Sequence, residues 1–397
     1  MITSDSGLSV ENYVGTYEIK KDGDTVFIVS KEFHKPHENE EPLKKKMLYV
    51  DDFKNNDYLF LKLANVDISN TESVIEFCNE YGLPYSSAKI SDIMPGYYFW
   101  GLEMTEQQYA HMYPFYRHDN MSLHEFSRHA ICARRLMEVK NELESEKPNF
   151  ENLLKYLLPM LLYFRQELYE DSDIEPTNAT TRFQKFYLDT RNKYLKNNPD
   201  ASFEELVVFF ICKYSESCKK QQDASFEQDL RSDYWISLAD LLLFLAKYNL
   251  LKDITFDDLF VLTYKNDIVL PECVTSLLMK IGPTVLNDTI NEGLSQVHPK
   301  LTYIDGRYIN DWDIRFQYEG LLVELSLLLS TGNQIKKCAN PTCEKFFTPD
   351  GHRDKLYCSH RCGALVAKRR QRQRDAENPN RARLEPGSKS RKKPEQK

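Results

Sequence analysis

Four cysteines in two close pairs carry the most specific chemical signal in this chain of 397 residues. Four residues separate Cys338 from Cys343, three separate Cys358 from Cys362, and 14 residues lie between the pairs. Zinc prefers four such ligands in a tetrahedron, and two close pairs joined by a short hairpin supply them. Because four thiolates leave no open position for water, the pattern predicts a structural zinc ion rather than a catalytic one. The alternative is four unrelated cysteines.

The residues around the cysteines predict how the two pairs are brought together. The turn Asn340-Pro341-Thr342 joins the first pair, and 345–349 and 355–357 are predicted to be two short strands around a loop. Ser359 stands where a helix would begin, and a helical first turn points the sulfurs of the second pair the same way. The positive end of that helix favours thiolates. The expected order is therefore knuckle, hairpin and helix, which is a treble-clef-like module.

A basic run follows the last cysteine and is the candidate nucleic-acid-binding segment. From position 331 onward the chain has 18 Lys and Arg against 7 Asp and Glu, a net charge of +11. The whole chain has a net charge of −8, so the first 330 residues carry −19 and repel phosphate. Leu365 and Val366 are the last apolar anchors of the helix, and past Ala367 nothing can pack against a core, so we expect the helix to project into solvent with positive charge all around it. The candidate contacts are Lys368, Arg369, Arg370, Arg372 and Arg374.

Several partners are compatible with such a basic helix. Duplex DNA is favoured over RNA, and no aromatic residue in the run suggests the stacking that single strands require. The alternatives are an RNA- or ribosome-associated protein, an arm that binds an acidic protein surface, and a tail that is merely soluble. Some of the basic residues near the cysteines would instead serve to neutralise the net −2 charge of a zinc ion with four thiolates.

The stretch from 313 to 374, which includes "CANPTCEKFFTPDGHRDKLYCSHRCGALVAKRRQRQR", resembles the C-terminal end of bacterial proteins with a CGNR-like zinc finger. In such proteins an α-rich domain precedes a four-cysteine finger and a basic helix follows it. They are described as stress-linked transcription regulators that bind DNA, so the resemblance implies that role here. The family's Cys-Gly-Asn-Arg is Cys-Gly-Ala-Leu at 362–365, and the last pair is one residue closer. Only the cysteines and the basic run therefore carry over.

The rest of the chain predicts an α+β protein that is mostly α. We expect a small mixed N-terminal unit over 1–117, a helical domain over 118–332, the zinc finger and basic helix over 333–375, and a disordered basic tail over 376–397. A homodimer is possible for a body of this size.

Local patterns predict individual elements of the body. A hairpin is expected around Asp22-Gly23, strands at 47–53 and 58–66, and a helix over 68–84 capped by Ser69 or Asn70. Helices are expected from about Ser122, at 149–169, 180–195, 201–217, 232–250 and 256–264, and at 313–332 with Gly332 after its end. A small hairpin is expected at 302–309.

Other functions find little support in the sequence. The start of the chain has no secretory signal, and no apolar run is long enough to span a membrane, so we expect a cytoplasmic protein with no membrane partner. No motif of a nucleotide-binding loop, nucleophile elbow or metalloprotease is present, and the chain is not expected to be an enzyme. The five other cysteines are dispersed and are expected to be small buried hydrophobic residues.

Overall fold

The computed structural model divides the chain into two compact units, residues 1–333 and 334–397. The residues that the structure describes are 9–31, 44–49, 58–84, 98–99, 102–103, 120–163, 178–220, 232–295, 297–304, 307–314, 317–330, 335–349 and 355–377.

The first unit combines short antiparallel strands with nine described α-helices. Its strands are β1 (Ser9–Val14), β2 (Tyr17–Asp22), β3 (Thr25–Ser30), β4 (Lys44–Tyr49), β5 (Tyr98–Phe99), β6 (Leu102–Glu103), β7 (Asn120–Ser122), β8 (Ile254–Phe256), β9 (Leu262–Tyr264), β10 (His298–Ile304) and β11 (Arg307–Asp313). Its helices are α1 (Leu59–Ala64), α2 (Thr71–Tyr81), α3 (Leu123–Leu143), α4 (Phe150–Tyr163), α5 (Ala179–Leu195), α6 (Phe203–Lys220), α7 (Asp233–Lys247), α8 (Glu272–Gly293) and α9 (Gln317–Ser330).

The N-terminal strands form two antiparallel sheets. Strands β2 and β3 make a two-residue hairpin in which Asp22 pairs with Thr25, and Gly23 takes the positive φ of 58° that the tight turn requires. Strand β7 adds to the other edge of β3, and β1 pairs with β4. The predicted hairpin is therefore confirmed.

Two helices begin at caps that the sequence indicates. The side chain of Asn70 accepts a hydrogen bond from the Glu72 amide at the start of α2, and Gly82 ends that helix at a φ of 80°. The Ser122 hydroxyl accepts from the Glu125 amide at the start of α3. The structure thus selects Asn70 between the two expected caps.

Helix α8 lies at the centre of the helical layer. It packs against α3, α4, α5, α7 and α9 and buries Val274, Leu278, Ile281 and Val285. A methyl group at Gly293 would collide with the Leu322 side chain, so the end of α8 approaches α9 closely only because glycine stands there.

Buried polar side chains join distant parts of the first unit. The carboxylate of Glu324 in α9 is fully buried and accepts hydrogen bonds from the amides of Leu59 and Phe60, at 3.0 and 2.5 Å. These amides start helix α1 and have no partner within it. A residue 265 positions away in the chain therefore provides the N-terminal acceptor of α1.

Two expectations for the first unit are wrong, and one helix has no counterpart in the expected elements. The run 58–66 was expected to be a strand, but it contains helix α1. The run 256–264 was expected to be a helix, but it contains the last residue of β8, the hairpin loop and strand β9. In that loop the Asp257 carboxylate accepts hydrogen bonds from the amides of Leu259 and Val261. Helix α8, with Pro283 inside it, was not predicted.

The mostly helical α+β class is confirmed, and so is the hairpin at 302–309, which extends over β10 and β11. Gly332 lies outside the described residues. The boundary expected at 117/118 stays a prediction. No α-helix of the described residues has the length and apolar character that a membrane span needs.

Candidate metal centre and basic helix

The second unit contains two short strands and one long helix among its described residues. Strands β12 (Lys336–Lys337) and β13 (Phe346–Phe347) pair in antiparallel fashion, and helix α10 covers His360–Glu377. The strand expected at 345–349 is present over 346–347, but its partner is β12, and the strand expected at 355–357 is wrong. The segment before the second cysteine pair still lies beside the knuckle, because the Ala339 amide donates to the Leu356 carbonyl at 2.9 Å.

The first cysteine pair lies in the loop of the β12–β13 hairpin. The Cys338 amide donates to the Lys345 carbonyl at 2.9 Å, and the Cys343 amide donates to the Asn340 carbonyl at 2.8 Å. These bonds close the knuckle and turn both sulfurs to the same side. The predicted turn at 340–342 therefore has the expected effect.

The second cysteine pair lies at the N-terminal end of α10. The Ser359 hydroxyl accepts from the Cys362 amide at 3.3 Å, and the Ser359 carbonyl accepts from the Gly363 amide at 3.2 Å. Ser359 therefore caps the helix, at the residue where a helix was expected to begin. A methyl group at Gly363 would lie 3.3 Å from the Tyr357 ring, and glycine lets the first turn pack closely there.

The four sulfur atoms form one cluster. All lie within 4.8 Å of one another, and the Cys343–Cys358 and Cys358–Cys362 sulfur distances are 3.5 and 3.6 Å. A tetrahedral zinc ion with bonds of about 2.3 Å sets its sulfurs about 3.8 Å apart. The donor set therefore fits zinc, with no water-bearing position left.

Hydrogen-bond donors around the cluster favour the thiolate form of cysteine. The Cys358 amide points at the Cys338 sulfur at 3.5 Å. Hydrogen bonds from the Asn340 side chain, and then from Ser359, lower the pKa of Cys362 to about 6. Such bonds stabilise a thiolate, as a metal ligand must be.

The sulfurs of Cys343 and Cys358 need a cation to become thiolates. Burial raises the pKa of Cys358 to about 12, and burial also raises the pKa of Cys343. Both are therefore protonated thiols at neutral pH until a divalent ion displaces the protons.

Zinc affinity is expected to fall steeply on acidification. Each proton that zinc must displace changes the affinity about tenfold per pH unit, and two such thiols give at least about a hundredfold per unit near neutral pH. Zinc affinity falls and does not rise on acidification because the pKa values of the two thiols are raised, and lower pH favours their protonated, metal-free form. Competition between the full chain and a zinc chelator at pH 8, 7 and 6 measures this. An affinity that changes less than tenfold per pH unit would contradict it.

The basic helix has two distinct faces. Cys362 and Val366 are its buried residues, and Arg369 continues their stripe, since 100° per residue places it about 20° from Cys362. The Arg369 guanidinium donates to the Asn340 side-chain oxygen at 3.1 Å and to the Thr342 hydroxyl at 2.9 Å. The expectation that nothing past Ala367 packs on the finger is therefore wrong at this residue.

The other candidate contacts face solvent. Lys368, Arg370 and Arg372 are exposed, and their side chains make no hydrogen bond or ion pair within the described part of the chain. Arg374 is exposed too, and its Nε donates to the Arg370 carbonyl one turn earlier. Contact of these residues with nucleic acid stays a prediction, and 378–397 lie outside the described residues.

The comparisons with known proteins agree with this site. The family model described as the CGNR zinc finger matches residues 334–375. No curated protein and no solved structure matches the chain. The second unit is thus a four-cysteine zinc-binding module. More particularly, the chain carries a CGNR zinc finger at its C-terminal end, and the clustered cysteines support a structural zinc ion.

Proposed function

We propose that this chain binds double-stranded DNA through helix α10 and acts as a transcription regulator. The observation that carries the proposal is a solvent-exposed cationic helix that starts at a metal-binding cluster and is hydrogen-bonded to its knuckle. The zinc ion would hold the root of the helix, and the exposed guanidinium and ammonium groups would meet phosphates.

The distribution of charge around α10 supports binding of the helix in a groove of DNA. Taking Cys362 as zero, Lys368 and Arg372 lie at about 240° and 280°, and Arg370 and Arg374 at about 80° and 120°. These four residues are the flanking cations, two on each side of the helix. A helix about 10–12 Å across fits the major groove of B-DNA, which is about 12 Å wide and has phosphates along both walls.

The strip between the flanking cations is small and uncharged. Ala364, Ala367 and Gln371 fall at about 200°, 140° and 180°, opposite the face that packs on the knuckle. All three are exposed. Alanine contacts thymine methyl groups and glutamine pairs with adenine in known complexes, so this strip suits base edges. The major groove of A-form RNA is too deep and narrow for such a helix, which favours DNA over RNA.

Titration of the full chain with a labelled DNA duplex tests the proposal. Four phosphate contacts predict that the logarithm of the binding constant falls with the logarithm of salt concentration with a slope of roughly −3 to −4. Fluorescence anisotropy at several salt concentrations between about 50 and 300 mM gives that slope.

An RNA duplex of the same sequence is the parallel arm of this titration. Equal or tighter binding to the RNA would favour an RNA-associated protein. Binding to neither, or binding that ignores salt, would contradict the proposal. The homodimer stays a prediction.

A further inference from the structure

Arg369 differs from the four flanking cations in what its side chain contacts. Its two terminal nitrogens bond to two side chains of the knuckle, the amide oxygen of Asn340 and the hydroxyl of Thr342, at 3.1 and 2.9 Å. The planar fork of arginine suits two acceptors at once, which the single ammonium of a lysine does not.

The acceptors of Arg369 are themselves held in place. Asn340 is 3% exposed, and its side-chain oxygen also accepts from the Thr342 hydroxyl at 3.2 Å. The backbone carbonyl of Asn340 accepts from the Cys343 amide at 2.8 Å. Hydrogen bonds therefore connect the knuckle that carries Cys343, through Asn340, to a residue two turns along α10.

We propose that Arg369 is a positioning residue, which fixes the basic segment of α10 against the knuckle instead of contacting phosphate. Beyond Val366 no other side chain of α10 bonds to the knuckle within the described residues. Without this latch, the helix from Ala367 onward would fray, because a solvated helix end of fewer than about 12–15 residues is marginal by itself. The effect on DNA binding rests on the proposed function; the effect on helix order does not.

The test compares three variants of the full, zinc-loaded chain. Arg369→Gln removes the latch, Arg369→Lys keeps the charge without the fork, and Arg370→Gln removes a neighbouring charge with no such partners. Amide hydrogen exchange by mass spectrometry follows the peptides over 367–377, and elemental analysis follows zinc content.

Both variants at 369 are expected to exchange about fivefold faster over 367–377, with zinc content unchanged. The effect is moderate because the lost hydrogen bonds of Arg369 are charge-assisted but exposed to solvent. Arg370→Gln is expected to exchange like the original chain. On duplex DNA, Arg370→Gln should lower the salt slope by about 0.9, whereas Arg369→Gln should weaken binding with the slope kept.

Two results would overturn the proposal. One is exchange in the variants at 369 that matches Arg370→Gln. The other is a salt slope that Arg369→Gln lowers as much as Arg370→Gln does, which would make Arg369 a phosphate contact. If no form binds DNA, the proposed function fails, and the exchange comparison still decides the role of Arg369.

Discussion

Replacing Cys338 with serine is expected to release the metal and unfold the finger. The Cys338 sulfur is buried in the four-sulfur cluster, and serine offers zinc a hydroxyl in place of a thiolate. Zinc affinity should fall by more than about a hundredfold, since changes beyond the direct ligands already cost tenfold to a hundredfold. The folding of small zinc modules draws on a metal-binding free energy of about 10–16 kcal/mol, so little order should remain over 335–377.

Elemental analysis of the reduced chain and amide exchange over 335–377 measure this result. The control is Cys212→Ser, which changes an exposed cysteine of α6 outside the cluster and should keep one zinc ion per chain. The body should keep its cooperative unfolding in both variants. A serine variant at 338 that retains stoichiometric zinc and slow exchange would contradict a four-thiolate site.

The metal site could be predicted because its determinants are local in sequence. Each cysteine pair spans only a few residues, and the knuckle turn and the Ser359 cap fix the direction of the sulfurs within each pair. The same holds for the β2–β3 turn at Gly23 and for the Asn70 cap of α2. Where a turn or a cap decides the structure, residue types at short spacing are sufficient evidence.

Helix α1 could not be predicted for the opposite reason. Its six residues, LFLKLA, form a short apolar run that periodicity does not assign to helix or strand. The acceptor for its first amides is Glu324, 265 residues away, and no local pattern reveals that contact. At 256–264 a helix was wrongly expected, because Asp257 binds the amides of a loop in which Phe260 has a φ of 53°.

Helix α8 was missed because of two residues inside it. Gly282 and Pro283 adjoin at its middle, a pair that ordinarily ends a helix. Burial against five other helices stabilises it nonetheless, and that packing is a property of the folded chain. Arg369 is similar, since its charge is plain in the sequence but its acceptors in the knuckle are not.

Removing all four flanking cations is expected to abolish detectable DNA binding at moderate salt. The variant carries Lys368→Gln, Arg370→Gln, Arg372→Gln and Arg374→Gln and keeps the Arg369 latch. At about 0.1 M salt each lost phosphate contact lowers affinity almost tenfold through counterion release, so the loss is on the order of a thousandfold. The salt slope should approach zero. Helix formation is not the cause, because glutamine and the residues it replaces have similar helix propensities.

A matched control separates local contact from overall charge. Lys193, Lys196, Lys219 and Lys265 are exposed lysines of the first unit, and changing them to glutamine alters the net charge by the same amount. If α10 is the binding surface, this control should keep the salt slope and most of the affinity. Equal losses in the two variants would mean that the acidic body's net charge governs binding, and an intact affinity in the α10 variant would place the DNA contact elsewhere in the chain.

Because the Arg369 latch and the cysteine cluster are unchanged in the α10 variant, retained zinc and slow exchange over 355–377 would show that the loss comes from the missing cations alone.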